Sequence, residues 1–348
     1  MHTSYYRVDE HTYFERFGLG VDHLRVGQRF IHRPGITFSQ QDNVNEALDS
    51  VNSAMVHFDQ CFAEHTSWRK NIMVSTLTLQ RLIGMTTKTF GRRRRIVAMS
   101  SIALTKAMFA GDTLYVESEV VGVDDMDGDL GRVTLRTEGF NQHGEQVATL
   151  DYTIELWRSA AGPDREQCPD HPALESRFAS HIQRPDGDWL EQVGIFFEDL
   201  RAGETFIHSP RRTILAEEAV LHALRSLDWN PQTHDAEYAR AAGLPGPVVI
   251  QTWGIGIAVA LSTRTFGRVT VNLGWSDVKF GVDLMAGDTI EARSTVLDTH
   301  LSKSRPDEGV VTVLTEVHNQ RGEFVNSYQR VLMVYRRSAP NPYGDAGY

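Results

Sequence analysis

Residues 24–37 read LRVGQRFIHRPGIT, and residues 200–213 read LRAGETFIHSPRRT. The same offset of 176 residues places FGR at 90–92 opposite FGR at 266–268, and AGDT at 110–113 opposite AGDT at 286–289. A constant offset over this distance, almost without gaps, indicates an internal duplication. Each half therefore serves as an alignment for the other. Polar positions at which the halves differ become candidates for chemistry.

Composition and charge narrow the class of protein. Of the 348 residues, 41% are hydrophobic and 23% are charged, as in ordinary globular proteins. A net charge of −10 argues against a general nucleic-acid binder. The two cysteines, Cys61 and Cys168, fit a reducing compartment. The first 18 residues lack a signal-peptide pattern, and no stretch has the roughly 18 apolar residues of a membrane span. We expect a cytoplasmic protein with no nucleic-acid or membrane partner.

The duplication predicts two domains. They span residues 19–158 and 197–337, with a linker at 159–196 and a mobile tail at 338–348. Because the linker is rich in glycine and proline, we expect at most one short helix in it. We also expect the two units to pack as the subunits of a dimer do, with their sheets forming one continuous surface.

Each unit shows the same order of predicted elements. Val44, Ala47, Leu48 and Val51 are spaced as on one face of a helix, and a second helical stretch covers 77–88. Strand patterns follow at 113–121, 132–140 and 149–156. An apolar helix followed by an antiparallel meander predicts an α+β fold, in which the sheet wraps the helix.

This order resembles the hot-dog fold, in which a curled antiparallel sheet wraps one long helix. The motifs that carry a closer resemblance are NSAMVHFD at 52–59, MVSTL at 73–77, the two AGDT segments, DWNP at 228–231 and DAEYA at 235–239. They resemble the MaoC-like hydratase/dehydratase family in its tandem (double) hot-dog form, and within it the mesaconyl-CoA hydratases.

The resemblance implies an enzyme, a lyase that reversibly hydrates a short 2-enoyl-CoA thioester. A branched C4–C5 acyl group, like that of mesaconyl-CoA, is the expected substrate. Coenzyme A enters as part of the substrate, so no separate cofactor is expected, and the sequence shows no metal-ligand spacing. A homodimer or a higher homo-oligomer is also expected.

The resemblance places a catalytic pair on Asn52 and His57. His57 is the expected general base, and Asn52 is expected to orient the water. Many family members carry aspartate at the first position, so Asn52 is a departure. In the second unit the matching residues are Asp228 and Thr233, and His234 lies one residue out of register. We therefore expect the second unit to be a degenerate partner.

Ser75 is a candidate for binding the substrate oxygen. It aligns with Gln251, and the resemblance implies that backbone N–H groups at this point stabilise the thioester oxygen. The alternative is ordinary capping of the helix that begins near Thr76.

Four consecutive arginines, Arg92, Arg93, Arg94 and Arg95, form the second candidate binding element. The second unit keeps only Arg268 of this run. Such a run forms either a solvated charged surface or a grip on the phosphates of coenzyme A.

Other polar residues agree between the halves, which favours a role in folding. They are Asp59 with Asp235, and Asp112 with Asp288. Two other functions remain open. A hot-dog acyl-CoA thioesterase would need a carboxylate to activate water, and position 52 does not supply one. A non-catalytic acyl-CoA-binding protein would keep the tunnel without the chemistry.

Overall fold

The computed structural model of this chain describes residues 1–124 and 128–348. Its strands are β1 His2–Thr3, β2 Tyr5–Arg7, β3 Thr12–Glu15, β4 Arg29–Thr37, β5 Arg93–Leu104, β6 Thr113–Asp124, β7 Leu130–Phe140, β8 Gln146–Trp157, β9 Ala179–Gln183, β10 Trp189–Glu191, β11 Thr205–Ile207, β12 Arg212–Thr213, β13 Val269–Phe280, β14 Thr289–Leu301, β15 Glu308–Asn319 and β16 Phe324–Tyr335. The strands predicted at 113–121, 132–140 and 149–156 are confirmed as β6, β7 and β8.

The α-helices are short. They are α1 Gln40–Asp49, α2 Gln60–His65, α3 Ser75–Met85, α4 Thr87–Phe90, α5 Ala216–Arg225, α6 Ala236–Ala241, α7 Gln251–Leu261, α8 Thr263–Phe266 and α9 Pro342–Asp345. None of the helices in the described part of the chain is long and apolar enough to cross a bilayer.

Two large sheets organise the molecule as a double hot-dog of the α+β class. The first has the strand order β1-β9-β10-β4-β6-β7-β8-β5, and the second has the order β13-β16-β15-β14-β11-β3-β2, with β12 paired to β14. The expectation of one continuous sheet surface is wrong, because the sheets are separate. Strands β5 and β13 each form a terminal edge of their sheet.

Each sheet packs on one helix of its unit, α3 in the first unit and α7 in the second. Leu77 and Leu82 of α3 are buried in one core cluster with Leu114 and Val116 of β6. Helix α1 buries Asn43 and Ala47, while Leu48 is 63% exposed. The long wrapped helix predicted from the spacing of Val44, Ala47, Leu48 and Val51 is therefore corrected to α3 with α4, because of these four residues only Ala47 is buried.

Exchanged arms join the two units. Strand β10 pairs in parallel with β4 of the first unit, and β3 pairs in parallel with β11 of the second. The arm residues 13–15 and 189–191 lie 176 positions apart, so the duplication begins before residue 19. Within 159–196, where we expected a linker with at most one short helix, strands β9 and β10 join the first sheet.

A buried histidine–glutamate pair fastens each arm. His32 Nδ1 lies 2.8 Å from Glu191 Oε1, and His208 Nδ1 lies 2.9 Å from Glu15 Oε1. All four side chains are at most 1% exposed. Burial alone would raise the pKa of Glu191, but the neighbouring His32 outweighs it and holds that pKa at about 2. Removing one member would leave a buried group without its partner, so the pair determines where each arm docks.

The C-terminal tail packs against the second unit. Tyr343 lies with its ring 4.2 Å from the Arg268 guanidinium and contacts the rings of Phe196 and Tyr335. The tail at 338–348 is thus in contact with the body, where the sequence predicted a mobile segment. An arginine sandwiched by aromatic rings gains cation–π attraction, which explains the docking.

Candidate active site

The loop after α1 positions His57. A left-handed residue, Val51 at φ 58°, turns the chain away from the helix, and a short 3-10 turn follows at Met55–His57. The ring atom His57 Nδ1 lies 2.9 Å from the carbonyl oxygen of Ile72. A carbonyl only accepts, so Nδ1 carries the hydrogen in this bond and Nε2 of the neutral ring keeps its lone pair. That atom is free to act as a base.

The amide of Asn43 connects the histidine loop to the start of α3. Its Nδ2 atom donates to the carbonyl oxygens of His57 at 2.8 Å and of Ile72 at 2.9 Å. Its Oδ1 atom accepts the backbone N–H of Val74 at 2.7 Å. Asn43 is fully buried, so these bonds form away from competing water. One side chain thus fixes the distance between the histidine and the helix N-terminus.

Two further amides support the same loop. Gln40 Nε2 donates to the carbonyl oxygen of His57 at 2.7 Å, and Asn71 Nδ2 donates to that of Val56 at 2.9 Å. We call Gln40, Asn43 and Asn71 the amide bracket. Because they bind the backbone carbonyls of Val56 and His57, they fix the loop from which the His57 ring reaches the carbonyl oxygen of Ile72.

Ser75 is the first residue of α3, three positions after Ile72. The N-cap residue Val74 makes no side-chain cap bond. Within the described residues, no acceptor is found for the backbone N–H of Ser75 or Thr76. Open N–H groups at the positive end of a helix dipole attract a negative oxygen. The structure thus brings His57 and the open end of α3 together through Asn43, and the capping alternative for Ser75 loses its support.

Asn52 closes a local turn. Its Oδ1 atom accepts the backbone N–H of Ala54 at 3.0 Å, and the equivalent Asp228 accepts that of Asn230 at 3.3 Å. The accepting oxygen is therefore a feature of the fold in both units. The amide NH₂ of Asn52 distinguishes the two, because it can donate to a water oxygen and a carboxylate cannot.

The second unit lacks this arrangement. Thr233, opposite His57, is 4% exposed and donates to the carbonyl oxygen of Asn230 at 2.8 Å, within its own turn. His234 is partly exposed, and its Nδ1 atom lies 3.4 Å from Thr233 Oγ1. The positions opposite Gln40, Asn43 and Asn71 are occupied by Ala216, Ala219 and Pro247. None of these three can replace the bracket.

Sequence reasoning missed the amide bracket. The 176-residue offset that singled out His57 also places an alanine or a proline opposite each bracket residue. That signal was present, but an isolated asparagine on a helix reads as a surface residue. Only the burial of Asn43 and its three bonds show its role.

Arg92 does not fit the expected phosphate grip. Its side chain is 3% exposed, bonds to Asp164 at 2.9 Å and also donates to the carbonyl oxygens of Arg158 and Ala161. The equivalent Arg268 is buried as well. Because the arginine is buried at this position in both units, it has a structural role in the fold. Arg92 is therefore removed from the candidate phosphate site.

The rest of the arginine run lies at the start of β5. Arg94 and Arg95 are 51% and 55% exposed, and both bond to the buried carboxylate of Glu155, at 3.1 Å and 2.7 Å. Arg93 is partly exposed. Their positive charge therefore stays at the surface, where an anionic ligand could reach it.

The aspartates shared by both units have the expected structural roles. Asp59 and Asp235 cap helices α2 and α6. Asp112 and Asp288 each accept a backbone N–H in the turn before β6 or β14. Within 1–124 and 128–348, no group of His, Cys, Asp and Glu side chains is arranged to hold a metal ion.

Comparisons with known proteins identify the family of this chain. The family profile described as "Mesaconyl-CoA hydratase" matches residues 171–347, and the profile "MaoC like domain" matches residues 23–139. The mesaconyl-CoA hydratase of Cereibacter sphaeroides is 36% identical over 152 residues, which are 43% of this chain and 44% of that protein. The beta-methylmalyl-CoA dehydratase of Chloroflexus aurantiacus is 30% identical over 152 residues, 43% of each chain.

Several solved structures align over most of the chain. A conserved hypothetical protein of Mycobacterium tuberculosis, described as having a double hotdog fold, is 20% identical with a TM-score of 0.35 and covers 91% of this chain and 98% of its own. The matched segment spans under half the length of the curated relatives named above. Since the mesaconyl-CoA hydratase profile covers more than half of these 348 residues, the chain belongs to the mesaconyl-CoA hydratase family of MaoC-like proteins.

Proposed function

We propose that the chain reversibly hydrates a short 2-enoyl-CoA thioester at the first unit. The observation that carries this proposal is the amide bracket, which aims His57 while the open N-terminus of α3 lies beside it. A base and an oxyanion site held by one buried residue suit addition of water to a double bond conjugated with a thioester. The second unit has neither the histidine nor the bracket.

In the proposed reaction, His57 Nε2 removes a proton from water while the water oxygen bonds to C3 of the enoyl group. The electron pair of the double bond moves to the thioester oxygen, where the N–H groups of Ser75 and Thr76 stabilise the enolate. Protonated His57 then returns its proton to C2, so one water is added in total. Asn52 donates a hydrogen bond that orients the water. The thioester accepts the electrons, so the step needs no further cofactor.

The proposed substrate is a branched C4–C5 enoyl-CoA of the mesaconyl-CoA kind. Its support is the family assignment and the names of the relatives, mesaconyl-CoA hydratase and beta-methylmalyl-CoA dehydratase. The test is an assay of the purified chain with mesaconyl-CoA, crotonyl-CoA and itaconyl-CoA, following loss of enoyl absorbance and release of free thiol in parallel. Loss of absorbance without thiol release is expected, fastest with mesaconyl-CoA.

The same assay separates the alternatives. Thiol release would indicate a thioesterase, and binding without either signal would indicate a non-catalytic acyl-CoA-binding protein. Both have less support, because position 52 offers an amide where a thioesterase needs a carboxylate, and because a protein that only binds has no use for an oriented histidine.

We further propose that Arg93, Arg94 and Arg95 bind a phosphate of coenzyme A. The protein has a net charge of −10, so a local positive surface is needed to attract an anionic ligand. The double variant Arg93→Ala/Arg94→Ala is expected to raise KM several-fold at nearly unchanged kcat, the pattern of lost uniform binding. Arg136→Ala, at an exposed arginine of β7, is the control. A KM that stays constant at low ionic strength would contradict this assignment.

Self-association through the free edge strands is proposed as well. Strands β5 and β13 expose apolar side chains along terminal edges: Val97, Met99, Ile102, Leu104, Val271, Leu273, Trp275, Val278 and Phe280. Unpaired apolar edges favour pairing with another strand. Pairing β5 of one copy with β13 of a second, and the reverse, satisfies both edges in one closed dimer.

Light scattering coupled to gel filtration measures the mass of the chain in solution and so tests the proposed dimer. The chain is expected to elute at dimer mass or above, and Ile102→Lys or Trp275→Lys is expected to lower that mass. Leu48→Lys, at an exposed leucine away from both edges, should leave it unchanged. A monomeric wild-type chain at micromolar concentration would exclude the edge contact.

A further inference from the structure

A cavity of about 460 Å³ that is partly open to solvent lies where the two units and both arms meet. Equivalent positions of the two halves line it together: Lys88 with Arg264, Pro34 with Pro210, and Ser4 with Ser180. It is separate from the proposed active site, since His57, Asn52 and Ser75 are not among its lining residues.

Three cations line the cavity: Arg177, which is paired with Glu175 and Glu204, and Lys88 and Arg264. Among the described residues, no aspartate or glutamate lines it. Lys88 Nζ donates to the carbonyl oxygen of Arg33 at 2.6 Å, and an ammonium has two further hydrogens. Arg264 Nη2 donates to Ser4 Oγ at 2.7 Å, while Arg264 Nη1 is buried with no hydrogen-bond partner in the described structure. Unused donors therefore remain on Lys88 and Arg264.

The electrostatics favour an anion in this place. Burial lowers the pKa of Lys88 and of Arg264, and the positive charge of Arg264 lowers that of Lys88 further. Both side chains are half-buried, and Glu191 opposes the lowering of both pKa values, as Glu15 does for Arg264. Their unused N–H groups still favour a negative partner. The buried Glu15 and Glu191 are already engaged by His208 and His32.

The remaining wall is largely apolar, with Phe17, Val193, Ile195 and Leu261 among the lining residues. A phosphate has three strongly accepting oxygens and no apolar part to cover that wall. A carboxylate needs fewer donors, and an attached hydrocarbon chain would fill the rest of the volume. We propose that this cavity is a second binding site, specific for a carboxylate that carries a medium-length apolar chain, held by Lys88 and Arg264.

Because both arms form the wall, an occupant would also tie the arms to the units. Binding should therefore stabilise the whole chain in proportion to ligand concentration. Octanoate is the chosen probe, with octanol and inorganic phosphate as the uncharged and the non-apolar comparisons.

Calorimetric titration and thermal melting of the full chain test the proposal. Octanoate is expected to bind and to raise Tm, while octanol and phosphate at equal concentration do neither. Lys88→Met and Arg264→Met are each expected to weaken octanoate binding at least about tenfold, as loss of a charge-assisted bond does. Lys106→Met, at an exposed lysine paired with Glu145, is the matched control and should bind as wild type.

A further variant covers the case in which a charge-removing variant fails to fold. Ala260→Phe fills the cavity from an exposed lining position and should abolish octanoate binding while the cations stay in place. The proposal is overturned if octanoate does not bind the wild-type chain, if octanol or phosphate binds equally well, or if the folded variants bind like wild type. Binding is read without an enoyl substrate, so failure of the proposed hydration would leave this result standing.

Discussion

At the loop after α1, the first unit carries His57 held by three amides, whereas the second unit carries Thr233 opposite Ala216, Ala219 and Pro247. The two loops have the same shape, each with a 3-10 turn and an aspartate-capped helix behind it. The difference is confined to side chains that position a histidine. Since the second unit folds without them, the first unit does not need them for folding alone.

The arms show the opposite behaviour. Each unit keeps a histidine, a glutamate from the exchanged arm, a serine and a threonine in one buried network. Retention in both halves indicates a role in joining the units. Comparison of the halves thus separates residues for folding from residues for chemistry, and four predictions examine that separation.

The largest effect is expected at His57. His57→Ala should lower kcat about 10²–10⁴-fold, as loss of a general base does, with the thermal melting curve nearly unchanged. His234→Ala, the nearest histidine in the second unit, is the control and should keep kcat within about twofold of wild type. If steady-state kinetics show equal losses of kcat for both variants, the assignment of the chemistry to the first unit is wrong.

The second effect concerns the arms. Glu191→Gln and Glu15→Gln should each reduce the free energy of unfolding by about 3–5 kcal/mol, because each leaves a buried histidine without its charged partner. The two losses should be similar, since the networks match. Chemical denaturation measures both. If one variant is neutral and the other severe, the two histidine–glutamate pairs do not have the same role in joining the units.

Asn43→Ala gives the first unit the residue that the second unit has at the equivalent position, Ala219. The expected loss of kcat is smaller than that of His57→Ala. Three buried hydrogen bonds disappear, so kcat should fall roughly ten- to a hundredfold and stability by about 1–3 kcal/mol. KM should change less than kcat, because the side chain positions His57 and does not touch substrate. Asn45→Ala, at an exposed asparagine of the same helix, controls for helix propensity. An unchanged kcat would show that the amide bracket does not position His57 for catalysis.

The smallest effect is in the pH dependence of stability. His181 is 2% exposed and bonds to Thr89, and burial lowers its pKa to about 3. A histidine with a lowered folded pKa destabilises the fold as pH drops below about 6.5, by at most roughly 1.4 kcal/mol per pH unit. The charged and titratable groups that influence it are Glu191, His2, His32 and Arg264.

The second half supplies the matched substitution. Tyr5, equivalent to His181, makes the corresponding bond to Thr265 at 3.1 Å. His181→Tyr should therefore flatten the decline of Tm between pH 6.5 and 4.5 and leave Tm above pH 7 nearly unchanged. Glu191, with its lowered pKa, contributes only below about pH 4.5, and His2 continues to contribute, since its pKa is lowered to about 4. A parallel decline in both proteins would exclude His181 as the source.

Several features were predictable from the sequence because their signals are local or repeated. The alternation along 149–156 predicts a half-buried strand, and β8 confirms it. Asp59 and Asp235 lie just before short helices, where a carboxylate caps N–H groups, and both do so. His57 stood out because the duplication supplies its own comparison.

Other features had no local signal. The run at Arg92–Arg95 reads as one charged surface, yet Arg92 is buried against Asp164, while Arg94 and Arg95 lie outside around Glu155. Arg92 lies just before β5, where Asp164 and the carbonyl oxygens of Arg158 and Ala161 surround it, and these partners are more than 60 residues away in sequence. Helix α1 has an apolar pattern, but the sheet wraps α3, because packing partners and not periodicity decide which helix is buried.

By itself the sequence determined the duplication and the α+β class, because repeats and side-chain periods are encoded along the chain. Its motifs, through the family resemblance, implied the double hot-dog form and the first unit as the candidate catalytic half. The tertiary structure alone decided the exchange of arms, the burial of Asn43 behind His57 and the cavity between the units. These depend on contacts between residues far apart in sequence, such as Glu15 with His208, whose pairing no local pattern records.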